Sequence, residues 1–167
     1  DKHSLWAAVS RAVATPSRVF DDSIIPIQAF PEPTSGLVGL ITLFGDRDIE
    51  ATDLTAFELG FRAQVDDDLS FDIAAFYNNY HDIESLEPGT AFVDVIGSQP
   101  VLRIPIAFEN KLRGDTYGVE ISADWQADDW LKIIASYSFL KIDIELGASQ
   151  DTSDVAFIEG SSPDNQF

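Results

Sequence analysis

The clearest pattern in the chain is an alternation of apolar and polar side chains over residues 117–126. The apolar members are Tyr117, Val119, Ile121, Ala123 and Trp125. Because successive side chains of a strand point to opposite faces of its sheet, this pattern predicts a strand with one apolar and one polar face. After a break at 127–129 the alternation resumes over residues 131–139, with Ile134 as an exception on the polar face. The two segments together predict a long antiparallel hairpin with a tight turn.

A second hairpin of the same kind lies earlier, in residues 54–83. It turns at Asp66, Asp67 and Asp68, and acidic and small polar residues are typical of tight turns. A further alternating segment, residues 4–13, precedes it. We therefore predict membrane-length strands near residues 4–13, 54–66, 69–82, 115–127 and 130–145.

The connections between these strands are alternately long and short. The long ones are residues 14–53, 83–114 and 146–165, and a smaller hairpin turning at 97–100 is predicted inside the second. In an up-and-down sheet this order places every long loop at one end. Outer-membrane barrels combine this asymmetry with two-residue alternation and aromatic girdles. The pattern predicts an all-β fold, an antiparallel up-and-down transmembrane β-barrel segment with long extracellular loops, with Trp125 and Trp130 at the interface near the tight turns.

Composition narrows the possible partners and chemistry. The 167 residues carry 10 basic and 29 acidic side chains, a net charge of −19, which argues against a nucleic-acid partner because phosphate binding needs a basic surface. The chain has no cysteine, so disulfides, thiolate metal sites and cysteine nucleophiles are excluded. No nucleophile elbow, phosphate-binding glycine loop or zinc-protease motif occurs, so we expect no enzyme activity and no cofactor.

Two groups of residues, an acidic turn and two histidines, carry side chains that can bind metal ions. Asp66, Asp67 and Asp68 lack the ligand spacing of a calcium loop, so we interpret them as a solvated turn. His3 and His81 lie far apart without partner ligands at zinc spacing, and we expect structural or surface roles for both. The sequence predicts no catalytic, cofactor or metal site.

Polar and aromatic residues could still contact a ligand. Glu58, Arg62, Glu120 and Asp124 fall on polar strand faces and would line the lumen of a barrel, where a solvated wall is favoured over contact with a plug or ligand. The loop over residues 15–53 is acidic and would attract cations and repel anions. Its Phe20, Phe30 and Phe44 could pack the loop on itself or grip a ligand.

Five segments together resemble successive barrel strands of TonB-dependent outer-membrane receptors. They are "LWAAVSRAVATPSR" (5–18), "LTAFELGFR" (54–62), "LSFDIAAFYNNYHDI" (69–83), "GDTYGVEISADWQ" (114–126) and "EGSSPDNQF" (159–167). The resemblance implies a large barrel filled by an N-terminal plug domain, located in the outer membrane of a Gram-negative bacterium. It also implies uptake of a scarce nutrient, such as a ferric siderophore, with energy delivered by the TonB system.

We expect residues 1–167 to be one part of such a barrel domain, without the plug, because five membrane-length strands are fewer than the roughly eight that close a barrel. Phe167 is expected to begin a further strand. The isolated chain is expected to self-associate through its free strand edges and its apolar face. Two alternatives stay open from the residues alone, namely a soluble β-sandwich binding module and a passive porin-like barrel.

Overall fold

The computed structural model describes residues 2–167 and is dominated by strands. The strands are β1 (His3–Ala14), β2 (Ile24–Pro31), β3 (Val38–Phe44), β4 (Thr52–Gln64), β5 (Leu69–Pro88), β6 (Phe92–Ile96), β7 (Gln99–Asp128), β8 (Leu131–Glu145) and β9 (Asn165–Gln166). Two short helices, α1 (Arg18–Asp22) and α2 (Thr152–Glu159), lie in the connections. Within residues 2–167, neither helix is long and apolar enough to cross a membrane.

Five strands form an antiparallel meander in the order β1, β4, β5, β7, β8. Across the part of the chain that the structure describes, all the strands belong to one sheet, so the β-sandwich interpretation, which needs two packed sheets, is wrong. The sheet is open and mostly antiparallel, which confirms the predicted all-β partial barrel. At the tight turn between β4 and β5, the Asp66 carboxylate accepts hydrogen bonds from the backbone N–H groups of Asp68 and Leu69.

The strand register aligns apolar side chains into rows that cross the sheet. One row consists of Leu5, Phe61, Ile73, Ile121 and Tyr137, each opposite the next. The neighbouring row consists of Ser4, Arg62, Asp72, Ser122 and Ser136. Because adjacent rows point to opposite faces, one face of the meander is apolar and the other polar. Large apolar side chains remain accessible on the first face, with Leu5 73% and Ile121 40% exposed.

Aromatic rings cover glycines on the polar face of the meander. Trp6 lies opposite Gly60, and a Cβ at Gly60 would lie 2.2 Å from the Trp6 ring. Phe76 covers Gly118 in the same way, at 2.6 Å from such a Cβ. Each glycine therefore provides the space for the ring on the adjacent strand.

The connections predicted as long loops have more regular structure than the sequence pattern indicated. Most of residues 83–114 is strand, because β5 continues to Pro88 and β7 begins at Gln99, with β6 forming the small hairpin. Residues 14–53 contain α1 and the hairpin of β2 and β3. The small hairpin predicted inside the second connection is thus present, and the other connecting residues form further strands and a helix. In β3 the two-residue alternation is absent, because side chains of its apolar run are at least partly buried on both faces.

The hairpin of β2 and β3 extends the sheet at the end opposite the tight turns. β3 pairs in parallel with residues Val101 to Ala107 of β7, while β8 pairs with Arg113 to Asp128 along the same strand. The β5–β7 ladder is interrupted between these two parts by register shifts on both sides of Ile83. Asp82, which has a φ of 57°, lies at this interruption. Such bulges bend a strand, and here they separate the meander from the part of the sheet that contains β2, β3 and β6.

Candidate functional site: the cap formed by the long connections

The long connections form a compact assembly, which we call the cap and define as residues 15–51, 83–112 and 146–160. The meander of β1, β4, β8 and the lower parts of β5 and β7 is called the wall. The cap has its own apolar core around Phe108 and Leu112, which are 9% and 1% exposed. Phe20 of α1 packs on Phe108 with ring centroids 4.5 Å apart. The cap is therefore held by packing of the kind found in water-soluble domains.

A buried arginine fixes the β2–β3 hairpin to β6 and β7. The Arg103 Nη2 atom lies 2.6 Å from Asp94 Oδ2 on β6, and Nη1 donates to Thr42 Oγ1 on β3 over 3.4 Å. The guanidinium also stands over the Phe44 ring, 5.7 Å from its centroid. Arg103 and Thr42 are 8% and 0% exposed. A buried charge is tolerated only with its partners in place, and through them Arg103 links β3, β6 and β7 at one point.

Residues 146–160, which we call the strap, are attached through carboxylates. Glu87 on β5 accepts hydrogen bonds from the Ser149 hydroxyl and, over 3.2 Å, from the Gln150 N–H. Asp151 accepts from the Leu86 N–H over 3.0 Å and also caps α2 by accepting from the Asp154 N–H. Glu87 and Asp151 are 4% and 9% exposed. The strap thus depends on two buried carboxylates.

The environment favours the charged forms of these two carboxylates. Burial opposes ionisation of Glu87, but hydrogen bonds from Ser149, Ser85 and Gln150 outweigh it, and its pKa lies below the usual 4.5. Burial likewise opposes ionisation of Asp151, while the N–H groups of Asp154 and Leu86 bring its pKa below the usual 3.8. Burial and the neighbouring Asp151 carboxylate raise the pKa of Asp154. As the pH rises, Asp151 therefore ionises before Asp154.

An open acidic cavity of about 260 Å³ lies between the hairpin segment and the ladder of β5 and β7. Its lining includes Asp46, Asp48, Glu50, Asp82 and Glu109. The Asn110 amide joins the two sides, donating to the backbone oxygens of Glu50 and Asp82 over 3.1 and 2.7 Å. Among residues 2–167, no group of three His, Cys, Asp or Glu side chains is arranged to hold a metal ion. The cavity is acidic and lies on the surface of the cap.

The four polar residues singled out in the sequence lie on the wall. Arg62 pairs with Asp72, and Asp124 pairs with Lys132 at 2.8 Å. Arg62 and Asp124 line a concavity of about 420 Å³, together with Ile134, the exception on this face. Glu120 lines the adjoining hollow of about 500 Å³. Glu58 is exposed on the same face, opposite Phe76. Two of the four thus neutralise charges on neighbouring strands.

The remaining candidate residues lie apart from one another. His3 stacks on Phe61 with centroids 6.1 Å apart, whereas His81 pairs with Asp53 at the other end of β4, about 33 Å away at the usual rise per residue. Phe20 and Phe44 pack on cap residues, and Phe30 packs on Gly39. Sequence reasoning did not single out Glu87, Arg103 or Asp151. Their only local signal is a charge inside an apolar or turn segment, and their partners are distant in sequence.

Comparison with known proteins identifies a family over the whole chain. The family model described as TonB dependent receptor-like, beta-barrel matches residues 1–167. A search of curated proteins found no match.

Several solved receptor structures are similar in fold. A variant of the ferric enterobactin receptor PfeA from Pseudomonas aeruginosa has a TM-score of 0.63 at 19% identity, over 84% of this chain and 20% of that one. The siderophore receptor PirA from Acinetobacter baumannii has a TM-score of 0.60 at 17% identity, over 92% of this chain and 22% of that one. The siderophore receptor PirA from Pseudomonas aeruginosa has a TM-score of 0.57 at 17% identity, over 86% and 26%. The chain thus spans about a fifth to a quarter of these proteins, and at such identities the likeness concerns the fold alone.

Proposed function

Because the chain belongs to the TonB-dependent receptors and corresponds to part of their β-barrel, we propose that it forms a section of the wall and mouth of an outer-membrane receptor for active nutrient uptake. The family consists of transporters rather than enzymes, found in the outer membrane of Gram-negative bacteria. The observation that carries the proposal is the family match over residues 1–167. The apolar and polar faces of the wall are consistent with it.

The lipid of the outer membrane is the proposed partner of the apolar face. Side chains such as Leu5, Val9 and Ile121 are 73%, 70% and 40% exposed on one face of the wall, where water would be unfavourable and lipid tails favourable. Trp125 and Trp130, 48% and 79% exposed, flank the turn between β7 and β8, as expected for rings at a membrane interface.

The polar face of the wall is the proposed contact of the plug domain in the intact receptor. Ion pairs and serine hydroxyls line its two adjoining concavities, so this face can make many hydrogen bonds to a polar partner. The TonB system would then deliver the energy for transport through the plug. A ferric siderophore, the ligand class named for the similar structures, is the leading nutrient.

An uptake assay tests this proposal. We expect cells that express the natural protein containing this chain to accumulate radioactive iron from ferric siderophores, and expect disruption of TonB to abolish that uptake. TonB-independent entry would instead support the passive porin-like alternative. Failure to take up any member of a siderophore panel would contradict the proposed ligand class.

Charge changes in the cap test whether the ligand passes this part of the mouth. Replacing Asp46 and Asp48 with asparagine should raise the uptake rate of an anionic complex, or lower that of a cationic one, because the acidic cavity that they line repels anions and attracts cations. The matched control changes Asp67 and Asp68 to asparagine at the tight turn of the opposite end. If both variants transport like the parent at equal surface abundance, this cap does not line the ligand path.

A further inference from the structure

Two of the three connections that build the cap are attached by different kinds of interaction. The β2–β3 hairpin is part of the sheet, with seven residues of β3 from Val38 to Phe44 paired to β7. It also has the buried Arg103 cluster and the packing of Phe20 on Phe108. The backbone pairing and buried apolar contacts of the hairpin do not depend on a titratable group.

The strap has no comparable support. None of the residues of α2 is buried, and Phe157 on this helix is 77% exposed. Its hydrogen bonds to β5 and β8 have carboxylates as their acceptors. Glu87 and Asp151 accept at one end of the strap. At the other end, Glu159 accepts from the Ile144 N–H over 3.1 Å. Gly147, with a φ of 56°, lets the chain cross close to the backbone oxygen of Lys111.

We propose that the strap, residues 146–160, is a releasable element of the cap that opens when Glu87 and Asp151 are neutralised, while the β2–β3 hairpin stays in place. Losing the charge weakens each bond that these carboxylates accept, and little buried apolar surface on α2 opposes the departure of the strap. As a gate for a nutrient this inference rests on the proposed function. The opening itself can be measured without any nutrient.

The charged groups around the two carboxylates determine the direction of the pH effect. Lys111 approaches Glu87 to 3.8 Å and is shared with Glu109 at 2.8 Å, and Asp154 faces Asp151. The pKa values of Glu87 and Asp151 lie below 4.5 and 3.8, so their contribution to the closed strap is complete above those values and is lost as the pH falls through the lowered values. Asp154, whose pKa is raised, has the opposite effect, because its repulsion of Asp151 grows as it ionises. The strap is therefore expected to open in acid.

A spin-label distance measurement on the natural protein in detergent tests the proposal. These 167 residues contain no cysteine, so introduced pairs mark them specifically once any cysteine elsewhere in the natural protein is replaced by serine. One pair, at Ser153 and Ser98, joins the strap to the β6–β7 turn, and a second, at Gln28 and Ser98, joins the hairpin to the same turn. In the Glu87→Ala variant at pH 7, we expect the open population of the first pair to rise about tenfold or more, the size expected for bonds to a charged group. The second pair should keep its distance.

Two further variants separate release of the strap from general damage. Glu87→Gln keeps the shape and an acceptor but removes the charge, so it should open the strap less than Glu87→Ala and should make the opening less dependent on acid. Glu32→Gln, the matched control, changes a carboxylate whose hydrogen bonds stay within its own turn at Thr34 and Ser35, and should leave both distances unchanged. An unchanged strap distance in Glu87→Ala, or equal changes in both pairs, would overturn the proposal.

Discussion

Two strands, β5 and β7, run through both the wall and the cap, yet their side chains are buried to different extents in the two regions. On the wall, large apolar side chains such as Val9 and Leu59 are 70% and 53% exposed. In the cap, Leu112 and even Thr42, Ser85 and Glu87 are buried almost completely. β7 runs through both regions without a break from Gln99 to Asp128. The same strand therefore has different surroundings along its length, since lipid is expected around its wall part and protein around its cap part.

This difference is expected to show most strongly when the 167-residue chain is placed in water without lipid or detergent. The apolar face, the free edge of β1 and the edge of β8, which β9 covers at only two residues, are then association surfaces, so we expect oligomers or aggregates and no stable monomer. Light scattering after size-exclusion chromatography measures this directly. A monodisperse monomer would contradict the lipid-facing assignment of the wall.

Removing a core side chain of the cap should destabilise the cap in any membrane mimic. Leu112→Ala is expected to cost about 2 to 5 kcal/mol, because the leucine is buried and its removal leaves a cavity. Local hydrogen exchange of β3 amides, compared in detergent and in bilayers, reports this cost. The same loss should appear in both media, whereas a loss that disappears in bilayers would mean that lipid supports the cap.

Introducing a charge should separate the two faces of the wall. Ile121→Arg is expected to cost about 2 to 4 kcal/mol in a bilayer if this residue lies near its midplane. Ser122→Arg, one residue along on the polar face, is the matched control and should cost much less. Equilibrium unfolding of the lipid-folded natural protein measures both. Equal costs would show that the faces are assigned wrongly.

The wall could be predicted from the sequence because its information is local. Residues 117–126 alternate strictly, and the pairing of Phe61 with Ile73 and of Ile121 with Tyr137 follows once the two tight turns are placed. Trp125, Glu120 and Arg62 were consequently assigned to faces from the residues alone. The identity of the nutrient, in contrast, has no such pattern, since no motif in the chain specifies a ligand.

The cap depends on contacts between distant residues, and only the tertiary structure shows these. The Arg103 bond to Thr42 spans 61 residues and the Ser149 bond to Glu87 spans 62. The apolar run of β3 predicts a buried segment but not its parallel partner on β7. The alternating wall, with its long connections at one end, can be predicted from the sequence. A strand with one face towards lipid and the other towards water needs only apolar and polar residues in turn. The tertiary structure decided how those connections fold together, because burial of a charge such as Arg103 or Glu87 is favourable only where remote partners meet it.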